Sequence, residues 1–244
     1  FIGFDVDSVK WIAEQKGLNV EIQAVAWDGI NPALQTGKID MVYSGMSITP
    51  DREEKVNFTI PYWQVNQSVV ALADSEVTMD QFTNGTIVIG VQRSCSADQW
   101  MQKAEDEGGL FGEEKYNQLV KDGNIKLYDS FPMSMVALEQ GLVDVVIFDD
   151  ANVESYIQGK SQFAMVGVIE TGEYYAVAVR KDDNDLRELM NEGLTELMAS
   201  DKWDELIAQY IVEDVAEPTV EPTTNETVVE NVTAVETTPA ETTA

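Results

Sequence analysis

Arg52 closes the run Ser44-Gly45-Met46-Ser47-Ile48-Thr49-Pro50-Asp51-Arg52, in which Thr49 suits a helix N-cap and Pro50 the first helical position. A guanidinium in the first turn is unfavourable beside the positive helix end unless an anion joins it, so Arg52 reads as a clamp able to hold both oxygens of a carboxylate. The competing reading is a solvated surface arginine paired with Glu53 or Glu54. A second cluster, Arg93-Ser94-Cys95-Ser96-Ala97-Asp98, opens another helix; Ser94 or Ser96 is expected to cap it, and the same hydroxyl could also meet a carboxylate. Asp149 and Asp150 follow an apolar run. Asp150 is expected to cap the next helix, and Asp149 at a strand's carboxyl end would suit an ammonium group. Trp27 offers a flat wall for a ligand stem or cation, with core packing as its other role.

Strand-like and helix-like segments alternate around these residues. Asp7 can cap a helix through Val9, Ile12 and Ala13 to Gly17, with a strand from Val20 to Val25 after it. A helix from Asp28 closes at Gly37 before a strand from Ile39 to Ser44. Later come a strand from Ile87 to Val91, a helix after Ser96, a helix from Pro132 to Gln140 closing at Gly141, and a strand from Val143 to Phe148. Such alternation predicts an α/β chain with largely parallel sheets. The pattern Ala33-Leu34-Gln35-Thr36-Gly37-Lys38-Ile39-Asp40-Met41-Val42 returns 104 residues later as Ala137-Leu138-Glu139-Gln140-Gly141-Leu142-Val143-Asp144-Val145-Val146. Each copy reads as a helix end, a glycine cap and a buried strand, and polar residues follow both. Carboxyl ends of strands in open parallel sheets are where ligands bind, which favours two lobes that share a cleft.

Composition limits the chemistry. The 244 residues carry 44 Asp+Glu against 15 Lys+Arg, a formal charge of −29, which would repel nucleic acid. There is no histidine and one cysteine, Cys95, so an internal disulfide is excluded and triad or zinc chemistry is disfavoured. Cys95 reads as a small buried residue. No metal and no cofactor are expected. No run of about 18 apolar residues could span a membrane. Residues 215–244 hold six Glu, nine Thr and three Pro without Lys, Arg, Gly or aromatics, a composition that reads as a disordered spacer. Asn-x-Ser/Thr sequons at Asn57, Asn66, Asn84, Asn225 and Asn231 favour an extracytoplasmic location.

Together these residues resemble the extracytoplasmic amino-acid-binding proteins of ATP-driven importers, family 3 of the bacterial-type solute receptors. The resemblance runs from Gly3 to about Val212. It rests on Gly3-Phe4-Asp5-Val6-Asp7, on Asp40 to Arg52 with Phe58-Thr59-Ile60-Pro61-Tyr62, and on Gly85 to Ser96 and Val143 to Asp149. It implies a two-lobed periplasmic-binding-protein type II fold with two hinge crossovers, near Val69 to Leu72 and Tyr175 to Val179. Lobe 1 would be 1–70 plus 177–214 and lobe 2 71–176. The ligand would be one free amino acid, read as polar, delivered to a membrane permease by a monomer held extracytoplasmically through an N-terminal segment.

By the same resemblance, Arg52 would clamp the α-carboxylate with the Gly45 carbonyl, Ser47 and Ser96. Asp149 would hold the α-ammonium, Trp27 would line the side chain, and Gln92 and Phe148 would lie near it. Ser94-Cys95-Ser96 departs from the family's Gly-Thr-Thr or Gly-Thr-Gly. The family's first strand, with a side-chain-selecting residue, is expected upstream of Phe1. Two rivals share the fold: a prephenate or arogenate dehydratase using Glu170 or Glu173 as general acid, and the ligand-sensing domain of a receptor.

Overall fold

The computed structural model describes residues 1–211, so the Thr/Glu/Pro-rich tail lies outside the described residues. The chain begins with α1 (Phe4–Gln15), a 3-10 turn at Trp27–Gly29, α2 (Ile30–Gln35), β1 (Met41–Val42), α3 (Pro50–Glu53) and β2 (Asn57–Phe58). Then follow β3 (Trp63–Leu72), α4 (Met79–Asn84), β4 (Ile89–Gln92), α5 (Ser96–Gln102), α6 (Glu113–Asp122), β5 (Ile125–Tyr128), α7 (Phe131–Glu139), β6 (Val145–Asp149), α8 (Asp150–Ile157) and β7 (Phe163–Tyr175). The last elements are β8 (Ala178–Val179), α9 (Asn184–Met198) and α10 (Asp201–Tyr210).

The repeated pattern builds the same corner twice. Lys38 N–H bonds the Ala33 carbonyl and Gly37 N–H that of Leu34; Leu142 and Gly141 do the same with Ala137 and Leu138. Both glycines are left-handed, φ +70° and +66°, which is how a helix turns out of its last carbonyls into a buried strand. The sheets are mixed rather than largely parallel. One has the order β1-β8-β2 with both pairings antiparallel; the other has β5-β4-β6-β3-β7, where β4 runs parallel to β5 and β6 while β3 opposes β6 and β7. The antiparallel content arises because β3, β7 and β8 carry the chain out of one lobe and back.

Trp63 pairs with Tyr175 and Leu72 with Phe163, so β3 and β7 form one ladder running from lobe to lobe. Val65 and Tyr175 belong to the first-lobe core with Val9, Ile12 and Leu194, whereas Val69 packs with Phe82, Ile89 and Ile147 in the second. The core therefore changes between Val65 and Val69. The register slips at this passage between Val65 and Gln67. Asn66 at the slip keeps its backbone satisfied: its N–H reaches the Asp150 carboxylate at 3.0 Å, and its side-chain oxygen accepts from Gly172 N–H at 3.2 Å.

Two expectations near the chain start change. The first helix begins at Phe4 after Gly3, not at Asp7, and the Asp5 carboxylate turns to the Gly45 amide instead of its own helix. Val20 to Val25 forms no strand. Val20 to Val25 and Met41 and Val42 line one cavity of about 560 Å³, and β1 pairs with β8.

Candidate functional site

Thr49 caps α3 as expected, accepting Arg52 N–H at 3.3 Å, and Pro50 is the first helical residue. The short helix turns Arg52 inward. Its side chain is 3% exposed, which removes the solvated reading. Nη1 donates to the Ser47 carbonyl at 2.7 Å and Nη2 reaches across to the Ser94 carbonyl of the second lobe at 3.3 Å. Trp27 Nε1 donates to that same carbonyl at 3.0 Å, with the guanidinium carbon 5.6 Å from the centre of its ring. Of five N–H donors, a guanidinium so placed keeps several for a ligand. Burial pushes the Arg52 pKa down, opposed by Cys95 and Asp149.

The second lobe is built so that one hydroxyl is released. Neither Ser94 nor Ser96 caps α5 through its side chain. Cys95 is the N-cap, with its Sγ 3.5 Å from Asp98 N–H, and the Asp98 carboxylate reaches back to Ser94 N–H at 2.6 Å. Ser94 adopts φ +60° in this turn, which aims its carbonyl at the first lobe. Ser96 Oγ, spared from capping, lies 3.4 Å from Ser47 Oγ and donates to Asp149 Oδ1 at 3.3 Å.

Asp149, at the end of β6, is the N-cap of α8 without a side-chain cap bond; Asp150 instead bonds Ala151 N–H and the Asn66 N–H. The Asp149 carboxylate is thereby free for the cleft. Its Oδ1 accepts Gln67 Nε2 at 2.6 Å, and its Oδ2 accepts the Tyr175 hydroxyl, which itself accepts from Asn152 Nδ2 at 3.1 Å. Burial raises the Asp149 pKa to about 6, pulled down by Tyr175 and up by the nearby Glu173. Asp5, holding the Gly45 amide at 2.7 Å, is likewise raised to about 6 by burial.

All eight residues singled out from the sequence, Trp27, Gly45, Ser47, Arg52, Gln92, Ser96, Phe148 and Asp149, line one cavity of about 540 Å³. Arg52 and Asp149 face it from opposite lobes without forming an ion pair with each other. Phe148 stacks on Phe131, with centroids 4.6 Å apart, at the second-lobe wall. Sequence reasoning missed Gln67, Asn152 and Phe131, and saw in Tyr175 a hinge residue and not a partner of Asp149. Gln67 and Asp149 are paired across β3 and β6, a neighbourhood that no local motif announces. Gln67 Oε1 and Glu173 Oε2 are buried with no partner among the described residues. Among those residues no group of three or more His, Cys, Asp or Glu could hold a metal ion.

Two lobes joined by paired crossover strands, with buried opposite charges across the gap, define a cleft-type binding protein. The model of the bacterial extracellular solute-binding proteins, family 3, matches residues 1–213, and the chain belongs to that family. A probable histidine-binding protein of Neisseria gonorrhoeae is 27% identical over 217 residues, covering 87% of this chain and 75% of the relative. Among solved structures, an ancestral arginine-binding protein bound to glutamine superposes with TM-score 0.72 at 30% identity, covering 86% of this chain and 87% of the other. Holo ArgBP from T. maritima gives TM-score 0.67 at 31% identity, with 85% of each chain covered.

Proposed function

We propose that the chain binds one free amino acid between its lobes outside the cytoplasm and delivers it to the membrane permease of an ATP-driven importer. The observation that carries this reading is the pair of buried, oppositely charged side chains, Arg52 and Asp149, that share a cavity without touching. Buried charges are costly unless paired, and a zwitterion in the gap supplies each with its partner. Arg52, with the Gly45 carbonyl, Ser47 and Ser96, takes the α-carboxylate. Asp149 takes the α-ammonium, while Trp27, Gln92 and Phe148 surround the side chain. Since neither lobe satisfies both charges alone, the ligand contributes most of its binding energy in the closed state and shifts the population toward it.

Relatives named as binding histidine, arginine and glutamine support an amino-acid ligand and a role in transport rather than in catalysis. Calorimetry with the twenty amino acids tests the proposal. At least one should bind, and Arg52→Ala and Asp149→Ala should each weaken it by about ten- to hundredfold, the loss of one charged hydrogen-bonded contact. Unchanged affinity in either variant overturns the assignment.

A further inference from the structure

Behind the Asp149 carboxylate stands a second acid that the binding reading leaves unused. Gln67, on β3, and Glu173, on β7, belong to the two crossover strands, and Glu173 pairs with Val65 just before the slip that precedes Gln67. Gln67 is fully buried. Its Nε2 donates to Asp149 Oδ1 at 2.6 Å and to Glu173 Oε1 at 3.1 Å, with Ser96 Oγ at 3.2 Å. A carboxylate only accepts, so the NH₂ of Gln67 must face the two acids and its oxygen must face away. That oxygen has no partner among the described residues. The amide is therefore held in place by the acids on either side of its nitrogen.

Asp149 takes its aim from this arrangement. A carboxylate has about four acceptor positions, and Gln67, Ser96 and Tyr175 occupy those that point away from the cavity. Glu173 itself stays clear of the ligand. It lines a neighbouring cavity of about 450 Å³ with Thr49, Gln99 and Thr171, and not the one that Arg52 and Asp149 share. Its Oε2 is buried with no partner among the described residues. A charge so placed is unfavourable unless a cation comes near, and the α-ammonium on Asp149 is the cation that the binding reading brings there. The two neighbours act on Asp149 in opposite senses: Glu173 raises its pKa and Gln67 lowers it.

We infer that Glu173 is a positioning residue of the ammonium subsite, acting from the hinge through the Gln67 amide to aim the Asp149 carboxylate and to add a second negative charge behind it. The inference rests on the binding reading above and deepens it. The α-ammonium faces a row of two acids with one amide between them, and the outer acid sits on the strand that carries the chain back to the first lobe.

Calorimetry of the full chain with each of the twenty L-amino acids finds the tightest binder, whose affinity is then followed from about pH 5 to 8. Glu173→Gln keeps an acceptor for the Gln67 NH₂ and removes the charge. Its affinity at neutral pH should fall roughly three- to tenfold, and the pH midpoint of binding should move below the wild-type value near 6. Gln67→Met keeps the length and removes the donor. It too should bind more weakly, but with a midpoint above the wild-type value. Loss of packing alone does not part the two midpoints in opposite directions. In the Gln67→Met background, Glu173→Gln should cost less affinity than it does in wild type. Unchanged affinity in Glu173→Gln, midpoints that do not part in this way, or an equal cost in the two backgrounds overturns the inference and leaves the amino-acid reading in place. If Gln67→Met folds poorly, the affinity and midpoint of Glu173→Gln decide alone. Silence of the wild type toward all twenty amino acids, or unchanged affinity in Asp149→Ala, overturns the binding reading itself.

Discussion

Asp149 holds its proton more tightly than an ordinary aspartate, with a pKa raised from 3.8 to about 6 because burial outweighs the hydrogen bonds it accepts. In the ligand-free chain this acts on stability and affinity in opposite directions. A carboxyl whose pKa is higher folded than unfolded contributes stability that is fully present below pH 3.8 and is lost as the pH rises through 6. Melting curves of wild type against Asp149→Asn should therefore differ by a term that grows toward high pH, on the order of 3 kcal/mol in favour of the variant. Affinity runs the other way, because the α-ammonium needs the ionised form. Binding should be flat above about pH 7 and fall by up to about tenfold per unit below 6, with proton release on binding near pH 6 seen by calorimetry in buffers of different ionisation enthalpy. The Tyr175 hydroxyl lowers the Asp149 pKa, so Tyr175→Phe should move the affinity midpoint to higher pH. A midpoint that stays in place would detach Tyr175 from the site.

The elements that carry these residues were legible wherever a local signal suffices to build them. Thr49-Pro50 announced α3, and the paired glycines Gly37 and Gly141 announced two identical helix-to-strand corners. What escaped was set by contacts between distant segments. Ser94 or Ser96 was expected to cap the helix as well as to meet a carboxylate, but the Cys95 cap and the Asp98 carboxylate take over the capping and leave the Ser96 hydroxyl to Asp149. The Val20 to Val25 run has the composition of a strand, yet a strand needs a partner, and neither sheet includes this run. Gln67 and Tyr175 enter the site through the registers of β3 and β7, which no sequence window contains. The same dependence on distant partners governs α9: Gly193 lies against Ile12 of α1, where an added Cβ would come within 2.4 Å of Ile12 Cγ2. Gly193→Ala should cost roughly 1–3 kcal/mol by overpacking this helix contact, read as a lower urea midpoint at unchanged slope, with ligand affinity at neutral pH unaffected. A neutral effect would mean that α1 and α9 can slide apart freely.

At the scale of the whole molecule, the lobes meet through a few polar contacts: the Ser94 carbonyl accepts both Arg52 and Trp27 from the other side, Ser47 Oγ donates to Ser96 Oγ at 3.4 Å, and Thr49 Oγ1 donates to Gln99 Oε1 at 3.4 Å. Such bonds are modest against water, of order 1 kcal/mol each, so a ligand that bridges the lobes adds substantially to what holds them together. This ties stability to ligand concentration through the same two charges. At 100 times its dissociation constant the bound amino acid should add about 2.7 kcal/mol, which for a chain of this size raises Tm by roughly 5–10 °C. In Arg52→Ala or Asp149→Ala, with affinity down about a hundredfold, the same concentration merely equals the dissociation constant, and the gain shrinks to about 0.4 kcal/mol, a shift near 1 °C. The melting temperatures of the ligand-free variants need not match that of wild type; the ligand-induced increment is the quantity compared. An increment that persists at full size in both variants would mean that the amino acid stabilises the fold from somewhere other than the gap between Arg52 and Asp149, and that closure of the lobes does not depend on bridging them.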